Sequence, residues 1–234
     1  MRFLKESVHP ALRLVTGAAT IGAMLVLPLA SAASAASPTI SVGSYPYGVA
    51  INPSTNTVYV ANIDDGTVSV INGSTNTVTS TISVGSGPTG VAVNPSTNTV
   101  FVANEGGDSV SVINGSTNTV TATVSVGSFP IGVAVNPSTN TVYVTNFGGN
   151  SVSVINGSTN TVTSTVSVGK GPTGVAVNPS TNTVYVTNYD DNSVSVINGS
   201  TNTVTATVSV GNSPYGVAVN PSTNTVYVTN YDDN

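Results

Sequence analysis

Past residue 37 the chain alternates short apolar runs with polar turns. In the first unit, Gly48 to Asn52, Thr57 to Asn62, Thr67 to Asn72 and Thr77 to Val84 are rich in Val, Ile, Thr and Tyr, with apolar side chains at every second position. Period-two alternation bounded by Gly, Pro, Asn and Ser predicts half-buried β-strands. The last run sets Thr79, Thr81 and Ser83 against Val78, Ile82 and Val84, which predicts an outer strand with one hydroxyl-rich face.

The pattern repeats. Pro46, Pro88, Pro130, Pro172 and Pro214 fall 42 residues apart, each followed at the same distance by Asn-Pro-Ser-Thr-Asn-Thr-Val. A fixed period of this length marks a repeat architecture, in which one supersecondary unit buries its apolar face only against its neighbours. Four antiparallel strands per unit make a propeller blade, with Gly-Val-Ala-Ile/Val-Asn as the small-residue innermost strand. The predicted fold is an all-β propeller of four full blades and a partial fifth. The units run at about 45–86, 87–128, 129–170 and 171–212, with a partial unit at 213–234. Residues 38–43 match the fourth-strand phrase Thr81 to Gly85 and are expected to be a closing strand. Because Asn-x-Ser-Thr-Asn-Thr-Val occurs twice per unit, two coils of a β-solenoid are the rival; the Pro connection and the unequal runs favour the propeller.

Strand alternation sorts the turns onto two faces. Asn52 to Asn56 and Asn72 to Asn76 lie on one face and recur almost unchanged. The inter-blade connections and the second-to-third-strand turns lie on the other, and there the units differ. A variable loop face on a regular scaffold is where recognition is expected.

Residues 1–36 read as a signal peptide: Arg2, Lys5 and Arg13 precede an uncharged apolar stretch from Leu14 to Leu29, and Ala30 to Ala32 and Ala33 to Ala35 offer cleavage sites. The stretch falls short of the roughly 20 residues of a spanning helix, so an exported product without a membrane span is expected, in the periplasm, at the cell surface or outside the cell. Cleavage would remove His9 and every Arg, leaving Lys170 as the one cation against eight carboxylates. With no Cys, disulfides are excluded. The acidic balance argues against nucleic acid, whose phosphates are neutralised by Lys and Arg.

The second strand ends in Tyr143-Val144-Thr145-Asn146, Tyr185-Val186-Thr187-Asn188 and Tyr227-Val228-Thr229-Asn230, with variants at Tyr59 and Phe101. Together with the period, this resembles the YVTN-repeat β-propeller family of surface-layer and YncE-like exported proteins. The resemblance implies an exported propeller, commonly of seven blades, usually with no demonstrated chemistry; the blade count here is smaller. The absence of Trp excludes WD-type repeats.

Candidate site residues follow from the variable face. Tyr45, Tyr47, Phe129, Phe147, Tyr189, Tyr215 and Tyr231 would stack on a sugar ring or anchor a peptide, or else cover the seams. Asp64, Asp65, Asp190, Asp191, Asp232 and Asp233, with Glu105 and Asp108, sit in the second-to-third-strand turns. A hard cation such as calcium is one use for them. Hairpin chemistry is the other, since Gly66, Asp108, Asn150, Asn192 and Asn234 at the last turn position tolerate a left-handed backbone. Tyr59, Phe101, Tyr143, Tyr185 and Tyr227 recur in every second strand and are expected in the core. Lys170 reads as a solvated loop charge, and the Asn-Gly-Ser phrases as turns rather than glycosylation sites.

No catalytic residues are assigned. Without His, Cys or Arg after processing, Ser-His and Cys-His nucleophiles and His-ligated zinc are excluded. The expected function is a non-catalytic scaffold binding a cell-envelope protein or glycan. A structural surface-layer or adhesin component, with self-association through an incomplete ring, is the alternative. An enzyme acting on a glycan or lactone through Glu105 is a lesser one.

Overall fold

The computed structural model describes residues 39–233; the signal-peptide assignment at 1–36 lies outside them. Blade one comprises β1 (Pro46–Asn52), β2 (Thr57–Asn62), β3 (Thr67–Asn72) and β4 (Thr77–Ser83). Blade two follows with β5 (Pro88–Asn94), β6 (Thr99–Asn104), β7 (Ser109–Asn114) and β8 (Thr119–Ser125). In blade three these are β9 (Pro130–Asn136), β10 (Thr141–Asn146), β11 (Ser151–Asn156) and β12 (Thr161–Ser167). Blade four holds β13 (Pro172–Asn178), β14 (Thr183–Asn188), β15 (Ser193–Asn198) and β16 (Thr203–Ser209), and the partial fifth holds β17 (Pro214–Asn220) and β18 (Thr225–Asn230). Each full blade is an antiparallel meander in chain order. The architecture is the predicted propeller of four blades and part of a fifth.

Strand limits differ from the sequence pattern in two ways. The innermost strands start at the proline, two residues early, because Pro46 pairs with Asn62 across a bulge before Val49 resumes the ladder; a proline is tolerated at a strand's first residue. The outer strand carries a bulge of its own: Val70 pairs with Ser80 and Ile71 with Val78, leaving Thr79 as the extra residue. Its hydroxyl donates to the Val70 carbonyl. An extra residue inverts the alternation, so Val78 turns outward with Thr81 and Ser83 while Ile82 stays buried.

The core is divided among the seams. Tyr59, Ala61, Val68, Val70 and Ile82 of blade one pack against Val91, Val100, Val102 and Ile113 of blade two, and the next two seams repeat this. Successive innermost strands touch in the order β1, β5, β9, β13, β17. Burial therefore depends on having a neighbour. Tyr59, Phe101 and Tyr143 are fully buried, Tyr185 is half-buried, and Tyr227 is 58% exposed. For Tyr227 this corrects the core expectation: no following blade is present among the described residues to cover its ring. At the other end Val49 and Ile51 are 62% and 59% exposed. Thr39–Gly43, expected as a closing strand, forms no strand; the third strand that it would pair with in blade five is not among the described residues.

Candidate binding face

Hydrogen bonds assign the turns to their two faces. On the constant face Gly73 N–H donates to the Asn56 carbonyl and Asn56 Nδ2 to Ser74 Oγ, tying the two turns of one blade together. Asn72 Oδ1 accepts from the N–H groups of Ser74 and Thr75, the turn role read from the Asn-Gly-Ser phrase. Blades are joined by Asn52 Nδ2 donating to Asn98 Oδ1, repeated from Asn94 to Asn140, Asn136 to Asn182 and Asn178 to Asn224, each at 2.7 Å.

The motif residues of the second strand are consumed internally. Asn62, Asn104, Asn146 and Asn188 are fully buried, and each Nδ2 donates to two hydroxyls of the third strand, such as Ser151 and Ser153 from Asn146, both at 3.0 Å. Thr145 and Thr187 reach across the inner seam to the carbonyls of Thr173 and Tyr215, at 2.7 and 2.8 Å. The motif asparagine thus ties the second strand to the third within a blade, and its threonine, where present, ties one blade to the next.

On the variable face, the second-to-third-strand turns and the inter-blade connections are latched to one another. Glu105 N–H donates to the Gly87 carbonyl and Phe147 N–H to the Phe129 carbonyl. Carboxylates take part: Asp65 accepts from Ser44 N–H, Asp191 from Lys170 N–H and Asp233 from Asn212 N–H, each at 2.7 Å, and Asp108 from Phe129 N–H at 2.9 Å. Asp232 accepts from the Ser213 hydroxyl. Gly66, Asp108, Asn150 and Asn192 have positive φ, as their turn position requires. Asp64 and Asp190 are exposed, as is Lys170. Among the described residues no three carboxylates converge as a metal site.

The aromatic candidates divide. Tyr47, Phe147, Tyr189, Tyr215 and Tyr231 line one cavity of about 570 Å3 at the axial mouth, with Ile131 and Thr173 between them, a size typical of small-molecule sites. The Tyr189 and Tyr215 rings meet edge to face, centroids 6.4 Å apart and planes at 87°. Burial pushes the Tyr215 phenol above its ordinary range. Tyr45 and Phe129 are not among the residues lining that cavity. Both are exposed, with φ of 54° and 52°, at the position where Gly87 and Gly171 stand in other units.

Ile131 and Thr173 escaped the sequence reading because it sought aromatic side chains. The signal was present, since Tyr47, Thr89, Ile131, Thr173 and Tyr215 occupy one repeat position. Below the mouth, the innermost strands of all five units surround an axial cavity of about 430 Å3. No helix among the described residues is long and apolar enough to cross a membrane.

No protein-family model matches the sequence, and no curated protein matches it either. Solved structures do resemble the fold. Hydrazine synthase of Kuenenia stuttgartiensis matches with a TM-score of 0.74 and 22% identity over 82% of this chain and 57% of that one. A functionally unknown protein from Desulfotomaculum acetoxidans gives 0.73 and 18%, over 81% and 64%. The Cps50 (Swd1) β-propeller domain of Myceliophteria thermophila gives 0.69 and 14%, over 82% and 64%. This chain therefore spans about three-fifths of each of these three structures. At these identities the likeness is one of fold, and the fold is a β-propeller.

Proposed function

We propose that this chain is an exported β-propeller of the YVTN-repeat kind, acting without catalysis as a binding scaffold in the cell envelope and engaging its ligand at the aromatic mouth. One observation carries the reading. The second-to-third-strand loops and the starts of the innermost strands, where the units vary, bring five aromatic rings to one cavity, whereas the turns that do not vary are spent on hydrogen bonds within and between blades. Tyrosine gives broad contact area at low entropic cost. A protein or glycan of the envelope is the ligand class proposed.

The test is a double substitution, Tyr189→Ala with Tyr215→Ala, assayed by pull-down against the host's envelope fraction and by thermal melting. Binding is expected to fall at least ten-fold, the factor that about 1.4 kcal/mol represents, with little change in melting temperature. Unchanged affinity would remove the mouth from the function. Export is tested by the intact mass of the secreted product, expected to begin near Ala33 or Ala36.

A further inference from the structure

The side chains around the axial mouth offer ring faces in abundance, and their polar groups besides Thr173 are the phenol hydroxyls of Tyr47, Tyr189, Tyr215 and Tyr231. Tyr47, Phe147, Tyr189, Tyr215 and Tyr231 supply the rings, and Ile131 adds aliphatic surface. Thr173 Oγ1, the one aliphatic hydroxyl of the lining, already bonds Thr187 Oγ1 and the carbonyls of Pro214 and Tyr215. A sugar bound here would have to pair its hydroxyls with those phenols, since buried hydroxyls without partners are costly. A cation whose charge is sheathed in methyl groups needs no directed donor. It gains from the negative faces of the rings and from the burial of its methyls.

Electrostatics favour the same ligand. Among the described residues Lys170 is the one cation, and it does not line the mouth, whereas all eight carboxylates stand in loops of this face. A Cβ placed on Gly171 would meet Asp190 Oδ2 at 2.6 Å and Phe147 Cε2 at 3.1 Å, so the carboxylate and the edge of a lining ring share that glycine. A cleft with charge of one sign on its rim concentrates counter-ions. Tyr189 and Tyr215 meet edge to face beside this cavity, and rings around a cation are the usual receptor for quaternary ammonium groups.

From these features we infer that the mouth is a receptor for a methylated ammonium group. The inference rests on the proposed binding face and names its ligand. The shared chemistry is a trimethylammonium cation, carried either by a choline headgroup or by a trimethylated lysine.

The experiment is calorimetric titration of the whole chain with choline and with its neutral isostere, in which carbon replaces the nitrogen. Choline is expected to bind about ten-fold more tightly, the factor that about 1.4 kcal/mol represents. Tyr189→Ala and Tyr215→Ala should each abolish the difference, and Tyr189→Phe should keep it, because the ring face remains. Circular dichroism melts of the same variants establish that the fold is intact. Equal affinity for the two isosteres, or no choline binding, overturns the inference. If a neutral glycan binds in a Tyr189-dependent way while choline does not, the cation is wrong and the binding face stands; if neither binds and the envelope pull-down also fails, both fall. Phosphocholine and a trimethyl-lysine peptide, titrated side by side, then separate the two sources.

Discussion

Asn94 Nδ2 donates to Asn140 Oδ1 across the seam between the second and third blades, at 2.7 Å. Asn94 is fully buried, and its own Oδ1 accepts from Ser96 N–H at 3.0 Å. One side chain therefore closes a turn and joins two blades. Asn94→Ala would strip partners from both groups. A buried polar group left without a partner costs roughly 1–3 kcal/mol, so a loss of about 2–4 kcal/mol is expected in urea denaturation. Asn220 holds the same repeat position in blade five but is exposed, and Asn220→Ala is expected to change stability by less than about 0.5 kcal/mol. Similar losses at both positions would mean that the asparagine acts within its own turn only.

A second contrast lies on the innermost strands. A Cβ on Gly132 would fall inside contact distance of the Thr173 backbone carbonyl, the approach also made by Gly48, Gly90 and Gly174 to the next blade. At Gly216 the nearest atoms are only those of the Thr229 side chain, at 3.0 Å and beyond. Gly132→Ala is thus expected to part the seam and cost about 2 kcal/mol, in the range of overpacking. Gly216→Ala should be tolerated. Comparable melting temperatures for the two variants would show that the seams yield without cost.

Period and alternation were enough to reveal the blades, since an apolar face in each unit must meet its neighbour. The two turn faces follow from the same alternation. What stayed hidden was anything set by one extra residue or by absent neighbours. The Thr79 bulge inverts the facing of Val78, yet it leaves no mark in composition. Tyr227 reads like Tyr143, and only the next blade decides between burial and exposure. Within the site, the aromatic set was legible, but its division was not: Tyr45 and Phe129 precede the proline and Tyr47 and Tyr215 follow it, which sends them to different surroundings.

Phe129 and Tyr45 carry backbone strain with no packing return visible in the core. A left-handed backbone costs an L-residue with a Cβ roughly 1–2 kcal/mol, and glycine pays instead in unfolded-state entropy. At φ of 52°, Phe129 stands where Gly87 and Gly171 sit at 62° and 60°. Phe129→Gly should therefore leave stability unchanged or raise it by up to about 1 kcal/mol. A loss greater than that would mean the ring packs productively, with Gly148 as its nearest candidate contact.

Tyr59 and Tyr143 make stability depend on pH at the alkaline end. Both rings are fully buried, and neither hydroxyl has a hydrogen-bond partner among the described residues. Burial pushes both phenols above their ordinary value of 10.0. The neutral form is favoured in the fold, so its contribution is complete below pH 10 and is lost as pH rises from there through the folded pKa. Each such group gives a slope of at most about 1.4 kcal/mol per pH unit in that window. Blade two already shows the remedy, with Phe101 in the same repeat position and equally buried. The double substitution Tyr59→Phe, Tyr143→Phe should flatten the decline above pH 10 and leave stability at pH 7 equal or higher, because it removes two hydroxyls and strands no partner. A steep decline that persists in the double variant would place the alkaline loss elsewhere, with Tyr215, whose phenol is also raised, next in line.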